Sequence, residues 1–84
     1  MERVNYRIET EPVTTNGVID AKNCNEVIFI NKGPATVEID GFPLANNEFL
    51  TDGGNFGEFN TTRYRITFPA GASVCWVRRK YYVK

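Results

Sequence analysis

The run "VRRKYYVK", residues 77–84, interleaves cations with tyrosines. That composition binds and does not react. Guanidinium and ammonium groups attract anions, and phenol rings stack on bases or pack against another protein. Tyrosine and arginine are also the residues that carry energy where proteins meet. Val74 and Trp76 lie just ahead of the run, so the candidate contact set is Val74, Trp76, Arg78, Arg79, Lys80, Tyr81 and Tyr82. Ten basic residues balance ten acidic ones. The chain as a whole therefore has no general attraction to phosphate, and the protein-interface reading is preferred to a single-stranded nucleic-acid one.

Reactive groupings are sparse. Nucleophilic catalysis needs an activated nucleophile and a base. The chain has no histidine, and Ser73 is its only serine. Glu38 and Asp40, two apart on a strand-like segment, resemble a carboxylate pair, but nothing around them supplies the apolar pocket that raises one pKa. Asp52, Asn55 and Glu58 in "DGGNFGE" offer oxygen ligands without the spacing of a calcium loop. The glycines there lack the Gly-Lys-Ser/Thr of a phosphate cradle. Asn60-Thr61-Thr62 fits a glycosylation sequon, which matters only in a secreted chain. No enzyme, metal or cofactor is expected.

The elements that must position the tail belong to one domain spanning residues 1–84. So short a chain buries a thin core, and small domains are commonly reinforced by disulfides, metals or partner subunits. Cys24 and Cys75 read as small apolar fillers in a reduced protein. The metal staple lacks ligands, which leaves oligomerisation. The opening "MERVNYRIET" has no apolar leader, and no apolar run approaches the ~20 residues that span a bilayer. The expectation is synthesis in a reducing cytosol and no membrane.

Charge is segregated along the chain. Every carboxylate side chain lies at or before Glu58, and Arg63, Arg65, Arg78, Arg79, Lys80 and Lys84 follow it. Two arrangements account for this. The late strands pair with acidic ones inside the fold, or a charged face meets an oppositely charged neighbour.

Helical periodicity is absent, and β-branched, aromatic, Asn and Gly residues dominate. Val4–Glu9 alternates Val4, Tyr6 and Ile8 against polar residues as a half-buried strand, which Pro12 interrupts before Val13–Thr15 resumes as an edge. Asn16-Gly17 turns the chain into "VID". Glu26–Asn31 is apolar on both faces and suits a central place. It and Ala35–Asp40 read as the arms of a hairpin turned at Asn31-Lys-Gly-Pro34. Asp40-Gly41 is a second tight turn, leading to Phe42–Leu44. Glu48–Thr51 is short, and a glycine loop follows, held down by Phe56 and Phe59. Arg63–Phe68 points Tyr64, Ile66 and Phe68 inward. Pro69-Ala-Gly71 turns into the last strand, Ser73–Val83. The pattern is all-β: a small antiparallel β-sandwich, jelly-roll or immunoglobulin-like, of about six to eight short strands. Its flanking Lys/Arg and strand-initial prolines suit guarded edges.

The segment "FINKGPATVEIDGFPLANNEFLTDGG" followed by "TTRYRITF" runs Asn-x-Gly, short strand, Ile-x-Gly-x-Pro-Leu, glycine loop, aromatic strand. Between Val27 and Phe68 it resembles the small β-sandwich accessory proteins of tailed-bacteriophage virions. These are head-decoration, head-fibre and tail-associated proteins, notably of phages of gut Bacteroidetes. The resemblance implies a structural role for many identical copies docked on each other or on a capsid or tail, located in the virion or in host cytoplasm before assembly. It carries over no functional residue. The residues leave a second class open, a carbohydrate-binding module using Tyr6, Phe42, Phe56, Phe59 and Tyr64 as sugar platforms.

Overall fold

A computed structural model describes residues 5–55 and 57–83. Val4 and Phe56, named above, lie outside the described residues, as does Lys84. Eight strands follow in order: β1 (Asn5–Val13), β2 (Gly17–Asp20), β3 (Glu26–Asn31), β4 (Val37–Ile39), β5 (Phe42–Leu44), β6 (Phe49–Gly53), β7 (Arg63–Thr67) and β8 (Cys75–Val83). The first sheet runs β1-β8-β3-β6, the second β2-β7-β4-β5, and every pairing is antiparallel.

The pairing is nested. β4 pairs β5, β3 pairs β6, β2 pairs β7 and β1 pairs β8. The chain is in effect one long hairpin, doubled back at mid-sequence and wrapped into two layers. That is the jelly-roll arrangement of the β-sandwich. The fold point is Asp40-Gly41, where both residues take left-handed backbone (φ 49° and 84°). A two-residue hairpin turn requires that, and Asp-Gly supplies it at low cost. Asp40 Oδ1 also accepts from Arg65 N–H, tying the turn to β7.

Three expectations are corrected. Val27–Leu44 does not form a hairpin across Asn31–Pro34. β3 lies in the first sheet and β4 in the second, and Asn31–Pro34 begins the crossing between layers. The reason is steric and polar. Gly33 passes so close to Ser73 and Val74 that a Cβ would fall 2.0 Å from Ser73 Oγ and 2.6 Å from Val74 N. Asn31 fixes the bend by accepting from Gly33 N–H at 3.0 Å. β1, in turn, is not interrupted at Pro12 and does not bury Tyr6 and Ile8. It pairs with β8 along its whole length, and Tyr6 is 57 % and Ile8 38 % exposed. Arg7, Glu9 and Glu11 take the inner parity, the first two still exposed and only Glu11 half-buried. Pro12 is tolerated because β1 is an edge strand. The two-faced apolar β3 is internal, between β8 and β6, as its composition requires. The last strand begins at Cys75 rather than Ser73.

The core is Val27, Phe29, Val37, Ile39, Leu44, Ile66 and Val77 with Ile19, Ala21, Cys24, Cys75 and Tyr64. Phe29 meets Tyr64 edge-on, ring centroids 4.9 Å apart. Burying a side chain of that size stabilises by roughly 1.5–3 kcal/mol. Phe68 packs partly against this cluster. Cys24 and Cys75 are buried free thiols. Burial pushes the Cys75 thiol up to about 11 from an ordinary 9.0, and burial likewise raises Cys24. Tyr64 is raised by burial and by donating to Asp52 Oδ2 at 2.6 Å. A group that holds its proton more tightly when folded contributes stability that is complete below its unfolded value and lost as pH rises through its folded one. The protein is therefore expected to lose on the order of 2 kcal/mol through Cys75 alone as pH climbs from 9.0 to about 11. Urea melts across that range check this. Cys75→Ala should flatten the decline, and an unchanged slope would refute the assignment.

Candidate functional site

β8 alternates about the sheet plane. Cys75, Val77 and Arg79 point into the core, and Trp76, Arg78, Lys80 and Tyr82 point out. The register then sets rows across the outer face of the first sheet. Pro12, Trp76, Ile30 and Phe49 form one row through all four strands. Next come Thr10, Arg78, Ile28 and Thr51, then Ile8, Lys80, Glu26 and Gly53. Tyr6 and Tyr82 close the far end. One end of the face is thus wholly apolar, with Phe49 64 % and Trp76 36 % exposed. Its middle carries two cations, Arg78 and Lys80, against one carboxylate, Glu26, and is flanked by Ile8 and Ile28. Lys80 Nζ sits 4.3 Å from the Tyr6 ring centroid and 5.1 Å from that of Tyr82, a cation held over two aromatic faces. A shallow hollow of about 250 Å³ opens between Tyr6, Ile8, Glu26, Ile28, Arg78 and Lys80.

The second sheet shows the opposite character. Its outer surface carries Glu38, Asp40, Arg63, Arg65 and Thr67, with Val18 exposed at its edge. A jelly roll normally solvates such a face. The apolar row on the first sheet is what needs explaining.

The structure divides the sequence-derived contact set. Trp76, Arg78, Lys80 and Tyr82 share the outer face. Arg79 and Tyr81 take the opposite parity: Arg79 is buried, which corrects its place in the contact set, and Tyr81 is half-buried on the inner side. Arg79 is 2 % exposed. It donates through Nε and Nη2 to Asp20 O at 3.0 and 2.8 Å and through Nη2 to Glu11 Oε1 at 2.8 Å. Tyr81 lies under the Arg7 guanidinium, which is 4.2 Å from its ring centroid, and donates to Lys22 O. Val74 precedes the strand, half-buried, its carbonyl accepting from Lys32 N–H. Pro12, Ile30 and Phe49, which complete the apolar row, were not part of the expected set. Their signal was the two-faced apolarity of β3 and the exposed parity of β6.

Part of the segregated charge is paired within the chain: Arg79 meets Glu11 from the buried side, and Arg63 lies 3.8 Å from Asp20 at the surface, so late cations meet early acids. Arg78 and Lys80 remain on the outer face.

The other groupings fall into structural roles. Ser73 Oγ lies 3.1 Å from Asn31 Oδ1 and 3.0 Å from Ala35 O, at a bend between layers. Asp40 serves its turn. Asp52 accepts from Tyr64, and Asn55 donates to Glu58 Oε1. Among the described residues no group of three or more acidic, Cys or His side chains converges. Of the sugar-platform aromatics, Tyr64 is buried, Tyr6 belongs to the first sheet, Phe42 to the hairpin of the second and Phe59 to the β6–β7 loop. These four described residues are thus spread over both sheets and a loop.

Fold and face together define a minimal jelly roll with one polar outer surface and one apolar–cationic outer surface. No protein-family model matches the chain, and no match is found among curated proteins or solved structures.

Proposed function

We propose that this protein is a non-enzymatic assembly subunit that docks through the outer face of its first sheet. Its place is among the accessory proteins of a phage particle, in the virion or in host cytoplasm before assembly. The observation that carries the docking reading is the Pro12–Trp76–Ile30–Phe49 row. A domain of 84 residues has a limited core, yet it spends these side chains on a surface. Covering the row with another protein returns apolar area that the isolated chain cannot bury. Arg78 and Lys80 beside the row suit an acidic rim on the partner, which sets orientation more than affinity. The phage assignment draws on the sequence resemblance between Val27 and Phe68.

The test is a Trp76→Glu/Phe49→Glu double variant beside the parent chain. Both side chains point away from the core, so the variant is expected to keep its far-ultraviolet spectrum and melting temperature. It is expected to lose sedimentation with phage particles. A parent chain that never sediments with particles, or a variant that sediments equally well, overturns the proposal.

A further inference from the structure

Among the described strands β1 has β8 on one side and none on the other. Tyr82 N–H is directed to Asn25 Oδ1, and Lys80 C=O accepts from Asn25 N–H. Even-numbered residues of β8 thus turn their backbone polar groups toward β3, and odd-numbered ones turn theirs toward β1. By antiparallel alternation, Arg7, Glu9 and Glu11 make the ladder to β8, while Tyr6, Ile8 and Thr10 turn N–H and C=O to the open side. Pro12 falls on the same parity, so its missing N–H costs the ladder nothing. The other three edges are short: β2 has four residues, β5 has three including Pro43, and β6 has five and ends at Gly53 in left-handed backbone. β1 has nine. A long open edge is a template for pairing.

The side chains select the occupant. We infer that β1 pairs antiparallel with β1 of a second copy about a two-fold axis at Ile8, joining two first sheets into one continuous sheet. In that register Ile8 faces the partner's Ile8, and Tyr6 faces the partner's Thr10, as hydrogen-bonded pairs. Arg7 faces the partner's Glu9 twice over. Arg7 already donates to Glu9 within the strand, so four charges alternate around the axis. The neighbouring registers fail. An axis at Arg7 sets the two Arg7 opposed, and an axis at Glu9 sets the two Glu9 opposed and spends a hydrogen-bonded position on Pro12. An isologous contact must be self-complementary, and of these three axes the one at Ile8 is so in both backbone and charge. The inference deepens the assembly role proposed above, on which it rests, and names a second copy as one partner.

Three variants test it by light scattering and analytical ultracentrifugation of the whole chain. Ile8→Pro removes the central edge N–H without touching the β8 ladder. Arg7→Glu and Glu9→Arg each set like charges opposite. Each is expected to raise the dimer dissociation constant about tenfold or more, since like charges directly opposed are strongly disfavoured. Mixing Arg7→Glu with Glu9→Arg chains is expected to restore a heterodimer, because position 7 of one then meets the opposite charge at position 9 of the other. A parent chain that stays monomeric, a dimer indifferent to Ile8→Pro, or a mixture that fails to heterodimerise overturns the edge pairing. The Trp76→Glu/Phe49→Glu variant separates the two claims: it is expected to keep the dimer while losing particle binding. Loss of the dimer in that variant alone moves self-association to the face and overturns the edge.

Discussion

Asn31→Leu is expected to cost about 4 kcal/mol and to leave so small a domain largely unfolded. Asn31 is fully buried. Its Nδ2 donates to Ala35 O at 2.7 Å and Leu44 O at 2.8 Å, and its Oδ1 accepts from Gly33 N–H and lies beside Ser73 Oγ. One amide therefore joins the β3–β4 crossing, the end of β5 and the approach to β8. Leucine has nearly the same size, so the loss is not a cavity. It is three backbone groups left without this partner, each worth roughly 1–3 kcal/mol, with Ala35 O at the low end because Ser73 Oγ still reaches it. Alanine adds a void and is expected to be worse. Urea denaturation of parent and variant measures the difference. A cost below about 1 kcal/mol would mean that the backbone holds the crossing unaided.

Glu11→Ala is expected to destabilise more than Arg79→Met, although the two remove opposite ends of one ion pair. The Arg79 side chain is 3 % exposed and that of Glu11 43 %. Truncating Glu11 strands a guanidinium in the interior with only Asp20 O to hold it, at about 3 kcal/mol. Truncating Arg79 lets Glu11 turn to water, and methionine fills much of the space. What remains is Asp20 O short of its side-chain donors, about 1–2 kcal/mol. Paired denaturation curves decide the order. Equal or reversed costs would show that the pair acts as a surface ion pair despite its burial.

These two sites also mark where the sequence stopped being legible. Local signals transferred well. Asp40-Gly41 announced its turn, Tyr64 and Ile66 their inward parity, and β3 its central place. Each depends on neighbours within a few residues. Partner choice does not. Asn31-Lys-Gly-Pro34 looks like a hairpin turn until Gly33 has Ser73, forty residues on, pressed against it. Within "RRK" nothing distinguishes the buried arginine from the exposed one. Carrying the Cys75–Val77 parity one step further would have placed Arg79 inside, but an arginine is read as solvated unless its acid is known. That acid, Glu11, is supplied by the other end of the chain. The outer face was half legible for the same reason: Trp76, Arg78 and Lys80 sit on one strand, while Pro12, Ile30 and Phe49 arrive from three others. The alternation in β1 was seen but not its direction, because the apolar set covers the outside when the buried Arg79 takes its acid, Glu11, from the other side of the strand.

Nested pairing has a consequence for how the molecule is made. Zipping outward from Asp40-Gly41 joins ever more distant residues, and the final pair, β1 with β8, unites the two ends of the chain. Until β8 has been made, β3 has no neighbour on one side and β1 has none at all. Such late, long-range closure is slow and leaves strand edges bare. The first sheet therefore closes only once β8 has been made, however early the second has formed.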